Sequence, residues 1–291
     1  MNRREFLTAA AAGLGTAYIK PSAFGSVLDT PGLDIPGEQH KVQATDTVVL
    51  GKTGIKTSRL AMGTGTVGFG GGSNQTRMGQ LVKLLVGGYD SGLIFFDTAD
   101  SYGSHPEVAA ALKQVGRSKA VVMTKCDDRD PKQAKADIDR YLRELGTDYI
   151  DICLIHCVTE ADWTTRYRGV MDVFEQAKEQ GKIRAHGVSC HSIEALRAAA
   201  KSPWVEVDLV RLNPVGAYMD ADPGTVIGVV KEMRAQGKGI IGMKILGQGA
   251  MRTRQDEAIR FALDSGVLDA FTIGAENRNE QQDLIRRVAA A

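Results

Sequence analysis

Aromatic residues are scarce in this chain, at 6% of its 291 residues, and prolines number only eight. The four cysteines, Cys126, Cys153, Cys157 and Cys190, form no CxxC pair, which excludes zinc-finger spacing. Charge of one sign is also lacking. A net charge of +1 leaves no broad basic field for nucleic acid or an anionic membrane surface. The apolar stretch near the N-terminus, from Thr8 to Tyr18, is too short for a membrane-spanning helix of ~20 residues. The glycine-rich stretch from Gly65 to Gly72 has no GxxxxGK[ST] pattern, so it is not read as a phosphate cradle.

Glycine, by contrast, is plentiful at 33 residues, which suits a fold with many tight strand-helix turns. The composition, 43% hydrophobic and 24% charged, is that of an ordinary globular protein. At the N-terminus, Arg3-Arg4 precedes the weakly apolar stretch, and Lys20 to Gly25 closes it. That order predicts a twin-arginine export signal over 1–25, an encounter with the twin-arginine export machinery, and a periplasmic or otherwise exported location. Residues 26–46 carry proline, glycine and scattered charge without apolar periodicity, and read as a linker. One folded unit is expected over 47–291.

From Val48 the pattern becomes regular. Val48-Val49-Leu50 and Ile55 to Leu60, joined through Gly51 and Gly54, predict a β-hairpin. Strands are then expected over 60–65, 93–97, 120–125, 149–156, 183–188, 205–212, 239–245 and 269–273. Helices are expected between them, over 76–91, 105–115, 131–145, near 166–180, and over 192–200, 223–236, 254–265 and 279–290. Eight strand-helix units in a folded length of about 250 residues predict a closed (β/α)8 barrel, the TIM barrel of the α/β class, with the hairpin as an N-terminal cap. An open doubly wound sheet is the runner-up; it would want a dinucleotide GxGxxG after an early strand, and none is read here.

In such a barrel, chemistry sits where the strands end. The second strand ends on Asp97, with Tyr102 just beyond it; the third ends on Lys125 and the fourth on His156. A strand interior tolerates an acid, a lysine or a histidine only with partners, and a shared rim supplies them. A structural ion pair between Asp97 and Lys125, with His156 a satisfied core histidine, is the bland alternative.

The run Asp97-Thr98-Ala99-x-x-Tyr102-Gly103, then Thr124-Lys125, then Asp148-Tyr149-Ile150-Asp151-x-x-Leu154-Ile155-His156, resembles the aldo-keto reductase family. Leu50-Gly51-Lys52-Thr53-Gly54 and Gly181-Lys182-Ile183-Arg184-Ala185-His186-Gly187-Val188-Ser189 continue the likeness, which covers about 48–285. The resemblance implies metal-free hydride transfer between a nicotinamide cofactor and a small aldehyde, ketone or sugar. It places the catalytic tetrad on Asp97, Tyr102, Lys125 and His156. Tyr102 is then the proton donor, made readier by Lys125; Asp97 holds Lys125, and His156 steers the carbonyl oxygen.

For the cofactor, the resemblance implies Ser189, Asn213 (or Arg211), Gly247, Gly274, Arg278 and Gln282, with NADP favoured and NAD possible. Arg278 would take the 2′-phosphate, although Glu276 stands beside it with the opposite charge. Cys190 stands where the family has asparagine. The chain's last residue, Ala291, directly follows the last expected helix, so the family's C-terminal tail is expected to be missing or very short. Two alternatives stay open: a cofactor-binding sensor or subunit with vestigial catalysis, and a Schiff-base lyase using Lys125 or Lys244. The cysteines are read as buried small hydrophobes, with Cys126 and Cys157 pointing away from the barrel axis.

Overall fold

The computed structural model describes residues 41–291, so the expected signal over 1–25 and most of the expected linker lie outside the described residues. The last residues of that linker are not loose. Ala44 is buried, and its carbonyl accepts from the Leu60 amide at 2.9 Å.

Two short strands open the fold. β1 (Thr47–Val49) pairs antiparallel with β2 (Lys56–Ser58). The turn between them buries Leu50 and Ile55 completely, in the same apolar cluster as the inward residues of the barrel strands. The hairpin therefore plugs one end of the barrel, as expected of a cap.

Eight parallel strands then close on themselves: β3 (Leu60–Gly63), β4 (Phe95–Asp97), β5 (Val121–Cys126), β6 (Ile150–Val158), β7 (Ile183–Cys190), β8 (Val207–Arg211), β9 (Gly239–Met243) and β10 (Ala270–Ile273). β10 returns to pair with β3, Phe271 opposite Leu60. Alternate residues face two different cores. Phe95, Met123, Ile152 and Leu154 fill the barrel, whereas Phe96, Val122, Cys153 and Ile155 pack outward under the helices. That period of two brings Asp97, Lys125 and His156 inward, each as the last inward position of its strand.

The helices begin where local chemistry dictates. Asp130 caps α4 (Pro131–Leu145) by accepting from the Gln133 amide at 2.9 Å, with proline in the first turn. Asp222 does the same for α8 (Pro223–Ala235), Ser192 for α7 (Ile193–Lys201) and Asn277 for α10 (Arg278–Ala290). α3 (His105–Val115) and α9 (Gln255–Asp264) complete the regular ring.

Two expected helices are broken. The first is divided into α1 (Asn74–Arg77) and α2 (Leu81–Asp90), because Gly79 adopts a left-handed φ of 63° and the apolar stripe begins only at Leu81. The one expected near 166–180 is divided into α5 (Trp163–Arg166) and α6 (Arg168–Glu179) at Tyr167. Its start is displaced because Trp163 is fully buried and holds the first turn against the core. β9 is shorter than expected, since Lys244 takes a left-handed φ of 56° and ends it.

Candidate active site

The stretch Asp97 to Gly103 is held from several sides. Asp97 accepts from Lys125 Nζ at 2.5 Å through Oδ1 and from Thr272 Oγ1 at 2.7 Å through Oδ2. Lys125 is fully buried, and it also donates to the Thr98 carbonyl at 2.7 Å. Its ammonium is thus paired and hydrogen-bonded, the condition on which a charge survives burial. Burial acts to lower the Lys125 pKa, but Asp97 and Tyr102 together outweigh it and hold the group above the ordinary lysine value. Further along, Arg140 grips Asp100 with both terminal nitrogens, at 2.9 and 2.7 Å, and Tyr141 donates to the same carboxylate at 3.0 Å. This anchors the single turn Asp100–Tyr102.

Tyr102 projects from that turn beside the ion pair. Lys125 Nζ lies 4.7 Å from the centre of the Tyr102 ring, and the ring of His156 meets it edge-on at 5.8 Å. The structure therefore brings Asp97, Tyr102, Lys125 and His156 to one rim. It alters one expectation about them. Burial raises the Tyr102 pKa by more than Lys125 lowers it, so the phenol stands above its ordinary value and holds its proton firmly.

His156 is almost buried, and burial lowers its pKa below the ordinary imidazole value. Its Nδ1 lies 2.7 Å from Asp127, in the loop after β5. Asp127 is held below the usual carboxylate range: burial works against this, but His156 and Ser101 together outweigh it.

The glycine-rich stretch has a defined job. A side-chain carbon on Gly65 would come within 2.3 Å of the Tyr102 ring, and one on Gly68 within 2.7 Å. Contrary to the expectation that no GxGxxG follows an early strand, Gly63-Thr64-Gly65-Thr66-Val67-Gly68 has that spacing. No helix opens on it, since α1 begins only at Asn74. These glycines make room for an aromatic ring at the rim, and the dinucleotide fingerprint fails in its structural context.

A cavity of about 330 Å³ opens beside the ion pair, walled by Asp97, Tyr102, Met243, Lys244, Gln248 and Arg252 among others. Of the residues expected to hold a cofactor, Gly274 lies in this wall. Gly247 lies in the adjoining turn with a left-handed φ of 55°, buried against Ala217 and Ala250. Ser189 is buried, and its hydroxyl accepts from the Cys157 amide at 3.1 Å. Asn213 is fully buried with its amide committed to the Ala217 backbone and the Lys244 carbonyl, so it clamps a loop. The alternative, Arg211, is ion-paired to buried Asp220. Arg278 and Gln282, on α10, both reach the Ser91 hydroxyl, at 3.0 Å each.

Lys244 and Arg252 are the cations that the reading for cofactor contacts missed. Among the described residues neither has a carboxylate or hydrogen-bond partner for its side chain. With Gln248 and Gln255 they give the cavity a cationic, hydrogen-bonding wall that fits the phosphates of a dinucleotide, and Met243 gives an apolar face. The signal was present in the sequence, as Lys244, Gln248, Arg252 and Gln255 follow one another after the seventh barrel strand.

The four cysteines are free. Cys126, Cys153 and Cys190 are buried; burial pushes the Cys126 thiol up to about 11. Cys190 does not stand in for a cofactor-facing asparagine: it points into the protein, with its sulfur 3.5 Å from Asp208. Cys157 departs from its expected outward orientation. A left-handed φ of 51° and a register shift in β6 bring its thiol, partly exposed, to 3.6 Å from His191 Nε2.

Fold and rim together define a (β/α)8 barrel with an ionisable cluster where consecutive strands end. The sequence model of the aldo/keto reductase family matches residues 61–286, and the chain belongs to that family. Among curated proteins it is similar to the NADH-specific methylglyoxal reductase of Escherichia coli, 28% identical over 188 residues, covering 56% of this chain and 57% of that one. It is also similar to the aldo-keto reductase YhdN of Bacillus subtilis, 29% identical over 161 residues, covering 50% and 46%. The chain thus spans about half the length of these curated relatives. Among solved structures, the holo form of an aldo-keto reductase from Bacillus halodurans shares the fold. Its TM-score is 0.68 at 18% identity, covering 84% of this chain and 91% of that one.

Proposed function

We propose that this chain is an NAD(P)-dependent oxidoreductase that interconverts a small carbonyl compound, an aldehyde, ketone or sugar, with its alcohol. The observation that carries the reading is the convergence of Tyr102, Lys125, Asp97 and His156 on one rim, beside a cavity walled by Asp97 and Tyr102. A bound dihydronicotinamide supplies the hydride. Tyr102 supplies the proton that the resulting alkoxide needs. Because burial holds the phenol protonated, Tyr102 keeps that proton until negative charge develops beside it. Lys125, fixed by Asp97, then stabilises the phenolate left behind. Lys244, Arg252 and Gln248 would hold the cofactor phosphates.

Arg278 gives this reading a coenzyme preference. Its guanidinium is held by neutral oxygens of Gln281 and Ser91, which leaves its charge free for a 2′-phosphate. NADP is therefore favoured, and the test is fluorescence titration of NADPH and NADH into the wild type and Arg278→Ala. The variant is expected to lose about 10- to 100-fold in affinity for NADPH, the worth of one charge-assisted contact, with NADH unchanged. Equal losses for the two coenzymes, or none, would remove Arg278 from that role.

One observation favours a second reading. Burial, with Arg211 and Lys125 nearby, holds Lys244 below the ordinary lysine value, the state that a Schiff-base amine requires. Borohydride trapping with an aldehyde present separates a lyase from a reductase.

Export belongs to the same proposal. Replacing Arg3 and Arg4 together by lysine is expected to retain the protein in the cytoplasm, as cell fractionation would report. Unchanged export in that variant would reject the signal.

A further inference from the structure

The acid that faces His156 is not one of the four rim groups read from the sequence. Asp127 meets Nδ1 of the imidazole at 2.7 Å, and Ser101, the residue before Tyr102, helps to hold its carboxyl below the usual range. We infer that Asp127 is a positioning residue for the proposed reaction, holding His156 in the Nδ1–H form so that Nε2 is the nitrogen that meets the reacting oxygen. This inference rests on the reductase reading.

The argument is one of donors and acceptors. A carboxylate only accepts, so an imidazole nitrogen 2.7 Å from it carries the hydrogen. Nε2, across the ring, has no hydrogen-bond partner among the described residues. In the neutral imidazole Nε2 then presents a lone pair. A carbonyl oxygen also only accepts, so neutral His156 has nothing to offer it, whereas an alcohol hydroxyl can donate to Nε2. The protonated imidazole reverses the match, since its Nε2–H donates to a carbonyl oxygen. Asp127 thereby makes His156 select between the two directions of one reaction. In reduction, the hydride would leave a bound dihydronicotinamide, oxidising it to the nicotinamide cation, and add to the carbonyl carbon; the C=O π pair moves to oxygen, and that oxygen takes the Tyr102 hydroxyl proton. The phenolate regains a proton from water, and the imidazolium keeps its own.

Several charged groups surround this imidazole. Lys125 on β5, with Asp127 and Arg129 beyond it, faces the ring side, and Arg129 donates to the backbone carbonyl of His156 itself. Asp97 and Tyr102 approach from β4 and its loop, Cys157 follows in the chain, and His191 lies beyond β7. Burial and Lys125 disfavour the imidazolium, and Asp127 opposes them.

The test combines a tautomer measurement with kinetics. The full-length protein is labelled with ¹⁵N-histidine, and long-range ¹H–¹⁵N spectra are recorded, with His156→Gln identifying the signal among the five histidines. Neutral His156 is expected to be the Nδ1–H tautomer in the wild type. In Asp127→Asn that preference is expected to disappear, and the imidazole pKa to fall by about one unit or more.

The kinetic probes are 4-nitrobenzaldehyde with NADPH or NADH, and 4-nitrobenzyl alcohol with the oxidised coenzymes. Across about pH 5 to 9, reduction should gain as pH falls through the His156 pKa, and oxidation as it rises. Asp127→Asn should move both limbs to lower pH and cost reduction about tenfold near pH 6. Asp127→Glu should restore them. An Nε2–H tautomer in the wild type, or limbs unmoved in Asp127→Asn, overturns the inference. The tautomer measurement needs no turnover, so its failure is distinguishable from a failure of the reductase reading.

Discussion

Replacing Tyr102 by phenylalanine is expected to lower the rate of carbonyl reduction by about 10²- to 10⁴-fold, the contribution of a well-placed general acid. The fold and coenzyme affinity should stay near those of the wild type. The packing of the ring explains why the change can be so selective. Gly65 and Gly68 crowd the ring itself, and His156 meets its edge; all three contacts survive loss of the hydroxyl. Lys125, whose ammonium lies 4.7 Å from the centre of that ring, keeps Asp97 and the Thr98 carbonyl as acceptors, so no buried ammonium is left unpaired. Substituting Lys125 would be less informative. It would strand the Asp97 carboxylate in the interior, a change that typically costs about 3–5 kcal/mol, and would mix chemistry with unfolding. Steady-state rates, coenzyme fluorescence and a thermal melt on Tyr102→Phe together decide the matter. A variant that turns over at the wild-type rate would remove Tyr102 as the proton donor.

The barrel was legible because period-two alternation and helix caps are local. Phe95 and Asp97, Met123 and Lys125, and Leu154 and His156 show their shared face in the sequence alone. The breaks at Gly79 and Tyr167 were hidden, since each depends on where buried neighbours such as Leu81 and Trp163 find their places. The turn of Cys157 was hidden for a similar reason, as strand alternation cannot foresee a left-handed residue inside a strand. The GxGxxG spacing at Gly63 to Gly68 shows the converse. A pattern present in the sequence acquires its meaning only from what packs on it, here the Tyr102 ring. Asp127 could be found only in three dimensions. Its partner His156 is 29 residues away along the chain, position 156 against 127, and no spacing rule links them.

Replacing Asp208 by asparagine is expected to stabilise the protein, increasingly so as pH rises. Asp208 on β8 is fully buried away from the rim. Cys190 is within hydrogen-bonding distance of one carboxylate oxygen, and the other has no partner. Lys238, the cation whose charge acts on this carboxyl, has its ammonium turned to the carbonyls of Ala199, Ala200 and Ser202. Burial therefore pushes the Asp208 carboxyl up to about 8. The sign follows from proton binding. The unfolded chain ionises this group near the ordinary value of 3.8, and between that pH and about 8 the native state binds more protons than the unfolded one. Stability contributed by the protonated form is thus intact below pH ~4, is lost as pH rises to ~8, and is constant above that. At 1.36 kcal/mol per unit, the full loss is on the order of 5 kcal/mol. Asparagine keeps an oxygen that can accept from the Cys190 thiol and cannot ionise. Urea unfolding at about pH 5 and pH 8 should show Asp208→Asn ahead of the wild type by roughly 1–2 kcal/mol at the lower pH and by several at the higher. An advantage that does not change with pH would mean that Asp208 is already ionised in the native state, with a counter-charge closer than Lys238.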